Sequence, residues 1–160
     1  MALNRNQQQT LRTYIDASVD ANVIAWRTQA TRDDGSLFTW LQGFTTVSVW
    51  NEAVDTRTLY EAMTVSKFDN ITAGKRDAWK ITLDFAPVDF TRAKRRNDLV
   101  DIWGAVDSVP ILQASTRFAK RYEEVFGGTD VTTNTVTAKK LNYSGSLSLD
   151  DVSNALNLVV

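Results

Sequence analysis

The stretch Ser108-Val109-Pro110-Ile111-Leu112-Gln113-Ala114-Ser115-Thr116-Arg117-Phe118-Ala119-Lys120-Arg121-Tyr122-Glu123-Glu124-Val125-Phe126-Gly127-Gly128 decides how the chain is read. At helical spacing, Ile111, Ala114, Phe118, Tyr122, Val125 and Phe126 fall on one face. Ser108 is a residue that caps helices, Pro110 suits a first helical turn, and paired glycines end one. The stretch predicts the clearest amphipathic helix in the sequence, over 108–126. It sets the expected class: mainly α, a compact helical bundle.

Working outward, the preceding segments repeat the helical pattern. Leu11, Tyr14, Ile15 and Val19 predict a helix over 7–19. Asp20 caps a second helix bearing Val23, Ile24 and Trp26. Leu37 to Leu41 forms a short third helix, with Gly43 placed for a left-handed C-cap. Thr46-Val47-Ser48-Val49-Trp50 alternates and predicts a strand. Thr58-Leu59-Tyr60-Glu61 has the form of a capping box. Thr72 opens a helix on which Ala78, Trp79, Thr82, Phe85 and Ala86 face inward, ended by Pro87. Asp89 opens another, with Phe90, Ala93, Val100 and Trp103 inward, closed by Gly104.

Beyond Gly128 the texture changes. Residues 129–138 are rich in threonine and suit an exposed loop or edge strand. Leu141, Tyr143, Gly145, Leu147 and Leu149 alternate as a strand would. Asp150 or Asp151 then caps a short terminal helix. The expected layout is one domain over 1–160. It has a helical body over 1–126, a small β element (strands near 45–50 and 140–148), and an extended threonine-rich arm that begins at 127.

Composition narrows the chemistry. The 160 residues are 43% apolar and 23% charged, a balance that builds a core. There is no cysteine and no histidine. Thiolate and imidazole nucleophiles, bases and metal ligands are therefore absent from the sequence, and no enzymatic activity, cofactor or metal site is expected. The formal net charge of −1 gives no global field toward nucleic acid or membrane. No apolar run is long enough to span a bilayer. Met1-Ala2-Leu3-Asn4-Arg5-Asn6-Gln7 lacks a signal-peptide core, so synthesis in the cytoplasm is expected.

Three groups of residues are candidates for function. Carboxylates adjoin at Asp33/Asp34, Glu123/Glu124 and Asp150/Asp151. Neighbours on a helix diverge, however, so capping and solvated surface explain them best. The basic residues Lys75, Arg76, Lys80, Arg92, Lys94, Arg95 and Arg96, together with Lys67 and against four carboxylates, give segment 67–96 a local charge of +4, against −2 before it and −3 after. They suit DNA phosphates or an acidic protein surface, or else form a solvated helix face. Five tryptophans lie in different elements. Each singly suits a core, but Trp26, Trp40 and Trp50 are candidate interface anchors. Gly127-Gly128 lacks the downstream residues of a phosphate loop.

Read together, several stretches resemble a small-protein family of tailed bacteriophages and prophages. Val49-Trp50-Asn51-Glu52 precedes the helical segment Ile71-Thr72-Ala73-Gly74-Lys75-Arg76-Asp77-Ala78-Trp79. Arg117-Phe118-Ala119-Lys120-Arg121-Tyr122-Glu123-Glu124-Val125-Phe126 follows. A threonine- and glycine-rich link then leads to Leu141-Asn142-Tyr143-Ser144-Gly145-Ser146-Leu147-Ser148-Leu149-Asp150-Asp151-Val152. The resemblance covers the chain from about residue 45 and lies in the order of segments. It implies a virion protein assembled in the host cytoplasm, similar in size and layout to head–tail adaptor or neck subunits. Such subunits form homo-oligomeric rings that dock on portal, tail or capsid proteins. A capsid decoration or tail-completion protein, and a DNA-binding accessory protein using the basic face over 75–96, are the alternatives.

Overall fold

The computed structural model describes residues 2–159. In chain order the elements are α1 (Arg5–Ala17), α2 (Ala21–Arg27), α3 (Asp34–Gln42), β1 (Phe44–Trp50), α4 (Thr56–Ala62), α5 (Val65–Phe68), α6 (Ala73–Asp84), α7 (Ala93–Asp107), α8 (Val109–Ala114), β2 (Thr116–Lys120), α9 (Arg121–Val125), β3 (Gly128–Thr133), β4 (Val136–Leu141) and α10 (Leu149–Asn157). The chain is about 55% helical and 16% strand, with one four-stranded mixed sheet, so the expected helical bundle is corrected to an α/β fold.

The sheet runs in the order β2-β1-β4-β3. β1 pairs in parallel with β4, with Val49 opposite Lys139. β1 and β2 run antiparallel, and Asn51 N–H donates to Ser115 O at 3.0 Å where the pair ends. β3 and β4 form a hairpin that turns at Asn134, whose φ of 54° is the left-handed conformation Asn tolerates.

The long helix expected over 108–126 is not formed. α8 stops at Ala114, where Ser115 donates both its N–H and its hydroxyl to Ile111 O. The chain then extends as β2. Phe118 points out, 55% exposed, while Ala119 is fully buried, a period of two where a helix would have put Phe118 inside. α9 restarts the helix as Glu123 accepts Lys120 N–H at 2.7 Å. Pairing with β1 outweighed the local helical pattern.

The extended arm is corrected as well. Residues 128–141 are the β3/β4 hairpin, with β3 at the edge of the sheet. Asn134 Nδ2 at its tip donates to Ala105 O and reaches Ser108 Oγ at 3.4 Å, which fastens the tip. The strand expected near 140–148 lies instead at Val136–Leu141. Residues 142–148 are irregular, and Tyr143 packs on Phe126 with ring centroids 4.6 Å apart.

Several boundaries shift for local reasons. Asp55 caps α4 by accepting Thr58 N–H at 2.7 Å, so Thr58 lies inside the helix rather than capping it. Asp89 accepts the Thr91 N–H and hydroxyl in a turn, and α7 begins at Ala93. Gly104 (φ +81°) kinks α7, which continues to Asp107. Ser148 caps α10 and Asp151 completes the box. Gly43 is not left-handed (φ −65°); a Cβ there would strike the Arg121 guanidinium, which donates to Trp40 O at 2.9 Å.

The chain divides into two compact units, both discontinuous. The first holds residues up to Thr46, Ala119–Thr129 and the chain from Leu141 on; the second holds Val47–Phe118 and Asp130–Lys140. In the first unit α1, α2, α3, α9 and α10 bury Leu11, Ile15, Val23, Leu37, Leu41, Tyr122 and Val152. In the second, Trp50, Leu59, Trp79, Phe90, Leu99, Trp103, Ile111 and Leu112 form the core, with Trp79 and Trp103 edge to face at 5.3 Å.

A candidate docking groove between α6 and α7

Within the second unit, α6 and α7 position a surface where apolar and charged side chains converge around a cavity. Thr72 caps α6 by accepting Lys75 N–H at 3.4 Å. Trp79 turns into the core, and Ile81 and Phe85, one helical turn apart, are left outside at 55% and 78% exposure. The segment after α6 returns through Pro87, Val88 bridges to Val54, and Phe90 is buried. α7 then presents Arg95, Asp98, Leu99 and Ile102 to the same space. The resulting cavity, about 210 Å³, has Ile81, Phe85, Pro87, Val88, Leu99 and Ile102 as its apolar wall and Asp89, Arg92, Arg95 and Asp98 among its polar lining.

The seven basic residues read from the sequence do not form one field. Arg96 is 3% exposed and belongs to the core. Its Nε donates to Thr133 Oγ1 at 2.8 Å, its Nη1 to Phe90 O at 2.6 Å, and its guanidinium lies 4.8 Å from the Trp50 ring. Burial pulls its pKa down, opposed by the charge of Asp89, yet an arginine stays protonated. Arg76 folds back onto Asp69 O and Ile71 O, each at 3.1 Å. Lys80 lies 3.8 Å from Asp77, Arg92 3.0 Å from Asp89, and Lys94 2.8 Å from Asp98. Burial opposes the charge of Asp89, but bonds from the Thr91 hydroxyl and N–H and from Arg92 hold its carboxyl below the usual range. Lys75 and Arg95 are exposed and have no ion pair among the described residues. Of the two, Arg95 lines the groove.

The tryptophan candidates are placed elsewhere. Trp50 is 1% exposed, and its Nε1 donates to Val131 O at 3.1 Å, so it is core. Trp26 and Trp40 are half-buried in the first unit, Trp40 lying 6.0 Å from Tyr14 and under Arg121 at 5.2 Å. The periodicity missed Ile81 as a surface feature and turned Phe85 inward. The available signal was their spacing of four on α6, just before a proline.

The carboxylate pairs are mostly occupied. Asp33 caps α3, Asp34 binds Arg32 and Ser153, Glu123 accepts the Lys120 N–H, and Asp151 completes a capping box. No cluster of three or more His, Cys, Asp or Glu is placed to hold a metal ion among the described residues. No helix among them is long and apolar enough to cross a membrane. Comparison with family models, curated proteins and solved structures gave no match.

Proposed function

We propose that the chain is a non-enzymatic structural subunit of a tailed-phage particle, a head–tail adaptor or neck-ring component that docks on its neighbours through the α6/α7 groove. The phage setting rests on the order of segments from Val49-Trp50-Asn51-Glu52 to the terminal Asp-Asp-Val helix. The docking mode is carried by one observation. Ile81 and Phe85 stand in solvent beside Arg95 at an open apolar cavity. Covering one such side chain is worth about 1.5–3 kcal/mol to association, while in the free chain its exposed surface contributes nothing. An aromatic anchor beside a lone cation is the composition of a binding hot spot.

The DNA reading has less support. Three of the seven cations lie beside carboxylates, Arg96 is inside, and Arg76 is turned to its own backbone. The decisive experiment is mass spectrometry of purified virions carrying either the wild-type chain or Phe85→Ser. The variant should keep its circular dichroism, since Phe85 is 78% exposed, and should be lost from particles. A chain absent from virions would end the phage reading. A Phe85→Ser chain incorporated at the wild-type level would end the role of the groove.

A further inference from the structure

If the groove is a docking surface, its charges constrain what covers it. Asp89 is engaged by Arg92 and Asp98 by Lys94, which leaves Arg95 as the uncompensated charge of the lining. The complement is an exposed apolar side chain next to a free carboxylate. Among the described residues, five large exposed apolar residues have a carboxylate as their neighbour in sequence. Asp20, beside Val19, accepts Asn22 N–H as the cap of α2. Glu61, beside Tyr60, is paired with Arg57 at 2.7 Å. Asp107, beside Val106, lies 3.9 Å from Lys67. Asp84, beside Phe85, belongs to the groove's own helix. The fifth is Leu149, 46% exposed, beside Asp150, which is exposed and has no hydrogen-bond or ion-pair partner among the described residues.

We propose that the groove of one copy receives Leu149 and Asp150 of a second copy, the leucine filling the apolar cavity and the carboxylate pairing with Arg95. Both residues sit in the first turn of α10, a helix of nine residues, where the positive end of the helix favours an anion. The groove and the α10 turn are different patches, so the contact is heterologous. Repeated from copy to copy, such a contact closes into a ring or runs on as a filament. This inference rests on the docking reading of the groove and names its occupant.

The test is self-association of the full chain, followed by native mass spectrometry and sedimentation over a concentration series. The wild type is expected to associate. Arg95→Glu and Asp150→Lys should each weaken association by roughly tenfold or more, and the double charge reversal should recover it. Arg95→Ala and Asp150→Asn serve as milder partners should a reversed charge disturb folding, and each should weaken association less. A wild-type chain that stays monomeric, single reversals without effect, or a double reversal that fails to recover would each overturn the proposal. The two readings separate cleanly. If Phe85→Ser weakens association or is lost from virions while Asp150→Lys changes nothing, the groove still docks a partner and only its occupant was misassigned. If Phe85→Ser also changes nothing, the docking reading falls with it.

Discussion

Arg95 and Arg96 stand side by side in one basic run, yet consecutive helical residues project about 100° apart and meet different surroundings. Arg95 reaches the solvent-open groove. Arg96 satisfies Phe90 O and Thr133 Oγ1 and lies over Trp50 inside the second unit. Removing it leaves two buried acceptors without a donor and a void beside an indole. Arg96→Ala should therefore cost about 2–4 kcal/mol of stability, whereas Arg95→Ala should stay within about 0.5 kcal/mol. Urea titrations of the two variants measure the difference, and equal midpoints would refute the core role of Arg96. Arg96→Lys should fall between them, since an ammonium cannot hold both acceptors in the geometry of the guanidinium fork. The sequence did carry a signal for this. Arg96, Leu99 and Trp103 follow at helical spacing, which puts the arginine on the buried stripe. Charge pulled the reading toward solvent, because arginine is almost never fully buried unless its hydrogen bonds are met.

At the scale of elements, α10 shows a helix fixed by one carboxylate. Asp151 accepts Ser148 N–H at 3.0 Å, the Ser148 hydroxyl at 2.7 Å and, from far along the chain, Leu3 N–H at 2.8 Å. Burial raises its pKa, but these bonds from Leu3 and Ser148 prevail and hold it below the ordinary range. A carboxylate whose folded pKa is depressed stabilises fully above its unfolded value, about 3.9 for Asp, and that contribution is lost as pH falls through the folded value. Asp151→Asn should cost about 1–2 kcal/mol near neutral pH and should lose less on acidification, so the two chains converge in strong acid. Thermal or urea midpoints across that range decide it; a constant gap at every pH would remove Asp151 from the acid response. Most helices were legible in this way, from caps and periodicity: Thr72 opens α6 and Asp20 opens α2 as their types suggest. What was not legible is β2. The segment over 116–120 satisfies a helical face and a two-residue alternation at once, and only the availability of β1 as a partner selects the strand. The hairpin over 128–141 was hidden likewise, because threonine-rich sequence serves a mobile loop and an edge strand equally well.

At the scale of the whole molecule, no window of sequence reveals that both units are assembled from separated segments, or that Val49 pairs with Lys139. Local periodicity sees neighbours along the chain, while the parallel β1/β4 pairing is entirely long-range. Charge is misread at this scale for the same reason. The +4 of segment 67–96 counts formal charges, while the folded chain sets carboxylates beside Lys80, Arg92 and Lys94 and withdraws Arg96 and Arg76. Lys75 and Arg95 are the cations of that group left to meet phosphates. Each neutralised phosphate adds about −0.9 to the slope of log K against log salt. Two free cations therefore predict a slope no steeper than about −2, where a face using all seven would give roughly −6. Fluorescence anisotropy of a labelled duplex over a salt series reads this slope directly. The companion variant is the triple Arg92→Ala/Lys94→Ala/Arg95→Ala with Arg96 left intact, since losing Arg96 would destabilise the core and confound lost stability with lost binding. A steep slope in the wild type that flattens in the triple variant would mean the surface carboxylates yield to phosphate and would return the basic face to DNA. A shallow slope that flattens in the triple variant by no more than about 0.9, the share of Arg95, leaves Arg92 and Lys94 to their own carboxylates and returns no basic face to DNA.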